Sequence, residues 1–180
     1  MGEWVKTTPT VDGYQCGKGE MNEYSHASYS HSGGGDMWDM NADTDPNHRA
    51  QASVWATVWW DVTPDSDYDK LKVDIEIDGS VHSVGDTADS EWTDSVRVYQ
   101  KVDSGWEMVA SSAVHREKDT DMSYKYQQLV SYNFQSGKEY RVQLHCRINS
   151  GNSGGSGYAR GEVKWEVCDQ DDCHLWWHKP

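Results

Sequence analysis

The chain is poor in the residues that most often build a protein interior. It has one Phe, three Ile and four Leu, and with seventeen Val these make 25 of 180 residues. Alongside a formal net charge of −14, so few aliphatic side chains ordinarily leave a chain unfolded, because too little apolar surface is buried to offset the lost conformational entropy. No stretch approaches the roughly 20 consecutive apolar residues that a membrane-spanning helix requires. Cations are scarce too: 16 Lys and Arg stand against 30 Asp and Glu, with no basic run among them. A phosphate backbone would meet net repulsion, which argues against nucleic acid as a partner. The GxSxG, HExxH, phosphate-loop and dinucleotide fingerprints are missing as well, and with them the sequence grounds for the chemistries they carry.

What the chain has instead is aromatic. Ten Trp and ten Tyr each bring roughly 150–250 Å² of buriable surface, enough to supply a core for one domain over residues 1–180, as suits this length. From residue 52 to 168 the sequence alternates with period two. In Leu71 to Asp78 every odd position is aliphatic and every even one charged, and Asp78-Gly79 reads as a turn. The runs 53–62, 94–102, 105–115, 122–134, 139–149 and 157–168 follow the same rule, and short joins rich in Asp, Gly and Ser, such as 103–105 and 135–138, fit hairpins. No helical stripe is present. The expected fold is all-β: an antiparallel sandwich, jelly-roll or immunoglobulin-like, with a barrel as the alternative.

Residues 1–50 lack sustained alternation. They read as a strand near Trp4 to Val11 followed by a long irregular segment around Gly33-Gly34-Gly35, of a length that is usually functional or ordered by a metal. Residues 150–157 form a second Gly/Ser-rich loop, and 169–180 a C-terminal tail. Within Tyr140, Val142, Leu144, Cys146 and Ile148 the thiol shares the apolar face, so Cys146 is expected to point inward and to pair with Cys16, while Cys168 and Cys173 close a small surface loop. An even set of four cysteines points to an oxidising, extracellular or cell-surface setting. Met1-Gly2-Glu3 has no secretory leader pattern, so that reading takes a leader as already removed. The excess of Asp over Glu, 20 against 10, would suit a high-salt habitat. Cys168-x4-Cys173-His174 also resembles a long-spaced c-type haem attachment site, and Cys168, Cys173, His174 and His178 are suitable zinc ligands.

Between residues 36 and 47, Asp39, Asn41, Asp43 and Asp45 place oxygen side chains on alternate residues. Calcium takes six to eight oxygens from a flexible loop, so these four are the expected calcium ligands. The spacing resembles the opening of an EF-hand loop but lacks its glycine (Thr44 stands there) and its closing glutamate (Ala50). His26, His31 and His48 in the same region are possible transition-metal ligands, or simply solvated.

In 53–62 one face carries Val54, Ala56, Val58, Trp60 and Val62, which suffices for a core. The other carries Trp55 and Trp59 on either side of Thr57. These two indoles are either covered by another segment or free to stack on sugar rings or on an apolar protein surface. Trp176 and Trp177 pose the same choice. Asp74, Glu76 and Asp78 share one strand face, which resembles the acidic strand of some jelly-roll glycoside hydrolases in inverted order. The expected function is therefore non-catalytic polysaccharide binding through Trp55, Trp59, Trp176 and Trp177. The rivals are a structural subunit that assembles with copies of itself by aromatic contacts or strand addition, and a small glycoside hydrolase.

Overall fold

The computed structural model describes the backbone of residues 2–169 and 172–180, with side chains described outside 168–173. Its elements are all strands: β1 (Glu3–Thr7), β2 (Gly13–Glu20), β3 (Ser25–His31), β4 (Met37–Thr44), β5 (Arg49–Val62), β6 (Tyr68–Val84), β7 (Ala88–Val102), β8 (Gly105–Ser111), β9 (His115–Lys118), β10 (Thr120–Phe134), β11 (Tyr140–Ser153), β12 (Tyr158–Glu166), β13 (Cys168–Asp169), β14 (Asp172–Cys173) and β15 (Leu175–Lys179). Among the described residues no helix is long and apolar enough to cross a membrane.

Two antiparallel sheets pack face to face, which is the sandwich the alternation predicts. In the seven-stranded sheet β6 is central: β10 pairs along one edge, while the other edge is shared by β15, which continues to β1, and by β12, which continues to β4 and β3. The six-stranded sheet runs β2-β5-β11-β7, with β8 and β9 sharing the far edge of β7. Alternate residues of both sheets fill the core. Val54, Ala56, Val58 and Trp60 of β5 and Val142, Leu144, Cys146 and Ile148 of β11 are all fully buried, and they meet Leu71, Val73, Ile75 and Ile77 of β6. Trp38, Trp60, Trp92 and Trp165 provide the bulk that the missing Phe, Ile and Leu would have given. The sheets come close enough that a Cβ on Gly161 of β12 would stand 2.4 Å from Ile148 of β11.

Several expectations are corrected. The segment after the strand expected near Trp4 to Val11 is not a long loop: β1 (Glu3–Thr7) is followed by β2, β3 and β4. The segment carrying Asp39, Asn41 and Asp43 is the strand β4, in which Trp38, Met40 and Ala42 alternate inward with those polar residues. Asp78-Gly79 is not a turn, because β6 runs on to Val84. Gly79 adopts a φ of 147° and lies where a Cβ would stand 2.1 Å from the Glu162 carbonyl oxygen, so glycine there permits close pairing with β12.

The expected Cys16–Cys146 bond is absent, and both thiols are free. Cys16 on β2 and Cys146 on β11 are each registered to Ala56, on opposite sides of β5. Two strand spacings, about 10 Å, separate their Cα atoms, beyond the 4.4–6.8 Å that a disulfide tolerates. The backbone places Cys168 across from Cys173, but their side chains, and with them the second expected bond, lie outside the described residues.

Candidate functional site

The outer face of the six-stranded sheet gathers the side chains that the core does not use. On β5 the outward residues are Ser53, Trp55, Thr57 and Trp59, and each tryptophan remains partly open to solvent. They stand on one face about 13 Å apart, four strand steps. Across the β2–β5 pairing Gly17 lies opposite Trp55 and Gly13 opposite Trp59. A Cβ on Gly17 would come 2.7 Å from the Trp55 ring, and one on Gly13 would come 2.3 Å from the Trp59 ring. The indoles therefore lie across the bare backbone of the edge strand, in room that only glycine leaves.

On the other side of β5, strand β11 points Arg141, Gln143, His145 and Arg147 to the same face, registered to Asp61, Trp59, Thr57 and Trp55. Beyond it β7 adds Arg97, registered to Gln143. Gln15, Trp55, Thr57, Arg97, Gln143, His145 and Arg147 line a shallow depression of about 320 Å³. A second hollow of about 320 Å³ shares Arg147 with it and continues past Asn149 toward Asp89 and Glu91. The two make one groove along the sheet.

The groove has its own electrostatics. His145 Nδ1 lies 2.8 Å from the Thr57 hydroxyl. Burial, reinforced by the Arg97 and Arg147 cations, lowers the ring's pKa from 6.5 to about 4, so it is neutral at physiological pH. At one end Arg141 makes a two-point ion pair with Asp61, at 2.7 and 2.8 Å, which raises its pKa. Its guanidinium stands 5.2 Å from the Trp59 ring and 4.5 Å from that of Trp106. That fixes the Trp59 indole between a clamped cation and the β2 backbone. At the other end the Nε of Arg147 and the Oδ1 of Asn149 are shut off from solvent and have no hydrogen-bond partner.

The remaining predicted residues lie elsewhere. Trp177 belongs to the core: it is 3% exposed, packs edge-on to Phe134 and donates to the Thr7 hydroxyl at 3.0 Å. Trp176 sits on the outer side of the opposite sheet, where its indole N–H donates to Asp74 at 2.7 Å. It cannot share a site with Trp55 and Trp59. Asp39, Asn41 and Asp43 are strung along a strand and do not converge with Asp45. Arg160 approaches Asp43 at 3.9 Å and His26 approaches Asp45 at 3.4 Å. Among the described residues no group of three or more acidic, His or Cys side chains is placed to hold a metal ion. His31 packs against Tyr14 and Trp38 while His48 stacks on Tyr24, so the three histidines do not meet.

Asp74 and Glu76, the pair tested for glycoside hydrolysis, border a depression of about 270 Å³ on the seven-stranded sheet. Their carboxylates are already engaged. Gln127 donates to Asp74 at 2.6 Å and Lys125 pairs with Glu76 at 2.6 Å. The sequence reading missed His145, Arg147, Gln143, Arg97 and Gln15. The alternation that turned Cys146 inward already turned Arg141, Gln143, His145 and Arg147 outward beside it.

No family model matches the chain, and no curated protein matches it by sequence. Solved structures give distant likenesses. One is described as "CBM4 structure and function", 10% identical over 84% of this chain and 77% of that one, with a TM-score of 0.36. Another is the carbohydrate-binding module TmCBM27, described for specific mannan recognition, 10% identical over 99% of both chains at a TM-score of 0.32. A third is the family 11 carbohydrate-binding module of a cellulosomal cellulase of Clostridium thermocellum, 10% identical over 90% of this chain and 94% of that one, at 0.31. Similarity at this level fixes neither a family nor a ligand.

Proposed function

We propose that the chain binds polysaccharide without needing to transform it, and that the groove on the outer face of the six-stranded sheet is the binding surface. One observation carries this reading. Trp55 and Trp59 lie partly exposed on a sheet face that needs neither for its core, bedded on glycines and flanked by the hydrogen-bonding side chains of Gln15, Thr57 and Gln143. A sugar ring offers an apolar face of C–H groups edged by hydroxyls. An indole takes the first, while amide and hydroxyl side chains take the second. At about 13 Å separation the two indoles would engage different rings of one chain, so the groove suits an oligomer better than a single sugar. An extracellular setting goes with such a ligand, although the free Cys16 and Cys146 remove one of the sequence arguments for it.

The test is retention on immobilised and insoluble polysaccharides. Trp55→Ala and Trp59→Ala are compared with Trp176→Ala, after unfolding curves confirm that all three fold. Loss of retention in the first two with no change in the third is the expected result. Equal retention in all three, or a loss confined to Trp176→Ala, would overturn the assignment of the face.

A further inference from the structure

We infer that the glycan taken by this face is acidic: an oxyanion carried on a sugar ring, as uronate carboxylate or sulfate ester, is held by Arg97 and Arg147 beside His145. The inference rests on the sugar-binding reading of the groove and adds to it the charge of the ligand.

Acidic residues outnumber basic ones almost two to one in this chain, 30 to 16, and among the described residues half of the Lys and Arg side chains meet a carboxylate. Arg116 meets Glu91 at 3.4 Å, Lys118 meets Asp89 at 2.8 Å and Arg141 meets Asp61 at 2.7 Å. Arg97 and Arg147 belong to the other half and, unlike the scattered remainder, line one depression together. Among the described residues neither has a carboxylate partner, and the depression they line contains no acidic side chain at all. Asp89 and Glu91 in the adjoining hollow are already taken by Lys118 and Arg116. The rest of the negative surface does not cancel the pair, since charges beyond about 8 Å are largely screened at physiological ionic strength.

Geometry gives the two guanidiniums a common target. His145 pairs with Ser95 of β7, Arg97 sits two residues further along β7, and Arg147 sits two residues along β11, so the arginines flank the imidazole diagonally on one face. Guanidinium forks match planar oxyanions with two parallel hydrogen bonds. Among the described residues the Arg147 Nε has no acceptor, and a turn of the guanidinium toward the groove would let such a group satisfy it. The groups facing His145 are Trp55 and Thr57 from β5, Gln15 from β2, Arg97 from β7, and Gln143 and Arg147 on its own strand. The only charges among them are positive, which is part of why the ring resists protonation. An oxyanion placed there reverses that field. The ring then titrates above its free value of about 4, and binding takes up a proton. Affinity therefore rises as pH falls through the bound-state value toward about 4.

The experiment uses the whole chain and paired polymers: polygalacturonate, alginate and hyaluronate, each with its carboxyl-reduced counterpart, together with a sulfated galactan and its desulfated form, and polyaspartate as an anion without sugar. The expected result is retention of one acidic polymer about tenfold or more stronger than its neutral counterpart, weakened by salt. Arg97→Gln and Arg147→Gln should each remove most of that preference while leaving the neutral form's weak binding in place. The His145 ring signal, followed by NMR, should titrate at higher pH in the complex. Retention of carboxylated polymers alone assigns the oxyanion as uronate, and of sulfated ones alone as sulfate ester. A neutral polymer bound as tightly as its acidic parent, with His145 unmoved, overturns the acidic ligand and leaves the sugar-binding face standing. Retention of polyaspartate equal to that of the sugars, or of nothing, overturns both.

Discussion

Asp94 is the residue whose removal should cost the fold most for its size. It lies on the inner side of β7, 1% exposed, where both of its oxygens are used. Oδ2 accepts from Trp92 Nε1 at 2.8 Å and from the Tyr126 hydroxyl, and lies 2.8 Å from His115 Nδ1. Oδ1 accepts from Gln128 Nε2 at 2.6 Å. Tyr126 and Gln128 belong to β10 in the other sheet, so one carboxylate ties the two layers together directly beneath the strand that carries Arg97. In Asp94→Ala the partly exposed His115 and Tyr126 can turn to water, whereas Trp92 and Gln128, at 0% and 6% exposure, cannot. Two buried donors left unpaired cost about 1–3 kcal/mol each, so the expected loss is about 4 kcal/mol, or roughly 8–16 °C in melting temperature for a domain of this size. Asp94→Asn should cost far less, about 1–2 kcal/mol. Its oxygen can serve the three donors at Oδ2, and the Gln128 amide can rotate by half a turn to accept from the new NH₂. Urea unfolding at pH 7 measures both, through the midpoint at unchanged slope. If Asp94→Ala falls within about 1 kcal/mol of the parent, or the two variants unfold together, the carboxylate is not the acceptor that joins the sheets. Asp94 also raises the pKa of His115. Its pairing with the imidazolium is therefore fully in place below pH 6.5 and lost as pH rises through the raised value, and the gap between parent and Asp94→Ala should narrow in that direction.

Two further outcomes follow from the same structure. His145 titrates near 4 instead of 6.5, so between those values the unfolded chain holds a proton that the folded one does not. Stability should fall as pH drops from 6.5 to about 4 and then level off, by at most about 3 kcal/mol and by less because the ring is partly open to solvent. Urea midpoints across that range should show His145→Gln without this limb, and parallel pH profiles for parent and variant would refute it. Cys146 is fully buried and its thiol pKa is raised by that burial, so iodoacetamide should label Cys16 in the native protein and Cys146 only after unfolding. A peptide map showing the two residues bonded would contradict the strand order β2-β5-β11.

How much was legible in the sequence depended on which side of each strand was apolar. β5 and β11 were placed within a few residues because one full face of each is apolar, and β6 was found by the same alternation but ended early at Asp78, short of Val84; the fold class follows from that alternation. β2 and β3 escaped because they are edge strands whose residues are chiefly Gly, Ser, Tyr, His and Lys, and an edge strand needs only one good partner and little apolar surface. β4 was misread for a more instructive reason. Its oxygen-bearing residues at every second position suggested a calcium loop, yet the residues between them, Trp38, Met40 and Ala42, are the buried face of an ordinary strand. Period two is neutral between these readings until both half-sets are examined. The Cys16–Cys146 pairing failed differently. Both thiols do face inward, but that says nothing of how many strands stand between them, a fact held only by topology. The binding face was half visible: Trp55 and Trp59 were singled out, while the arginines and the histidine belong to strands whose sideways neighbours no local pattern reveals.

The glycines of β2 decide whether Trp55 and Trp59 are there for the fold. Gly in a strand costs roughly 0.5–1 kcal/mol relative to Ala through lost backbone freedom, and β2 is an edge strand with little else to hold it. Sheet pairing alone would be better served by β-branched residues at 13 and 17, opposite β-branched residues at 55 and 59. An indole laid across a glycine recovers part of that loss, but the combination still spends two glycines on an edge strand. What it obtains is two indoles held flat against the sheet at a fixed separation, the nearer end clamped by Arg141 and the groove between them floored by Thr57, Gln143 and His145. A cover over this face would have made such precision unnecessary, because a buried tryptophan is positioned by packing on all sides. The indoles are instead positioned from below and left partly open above, which is the arrangement that a ligand arriving from solvent requires.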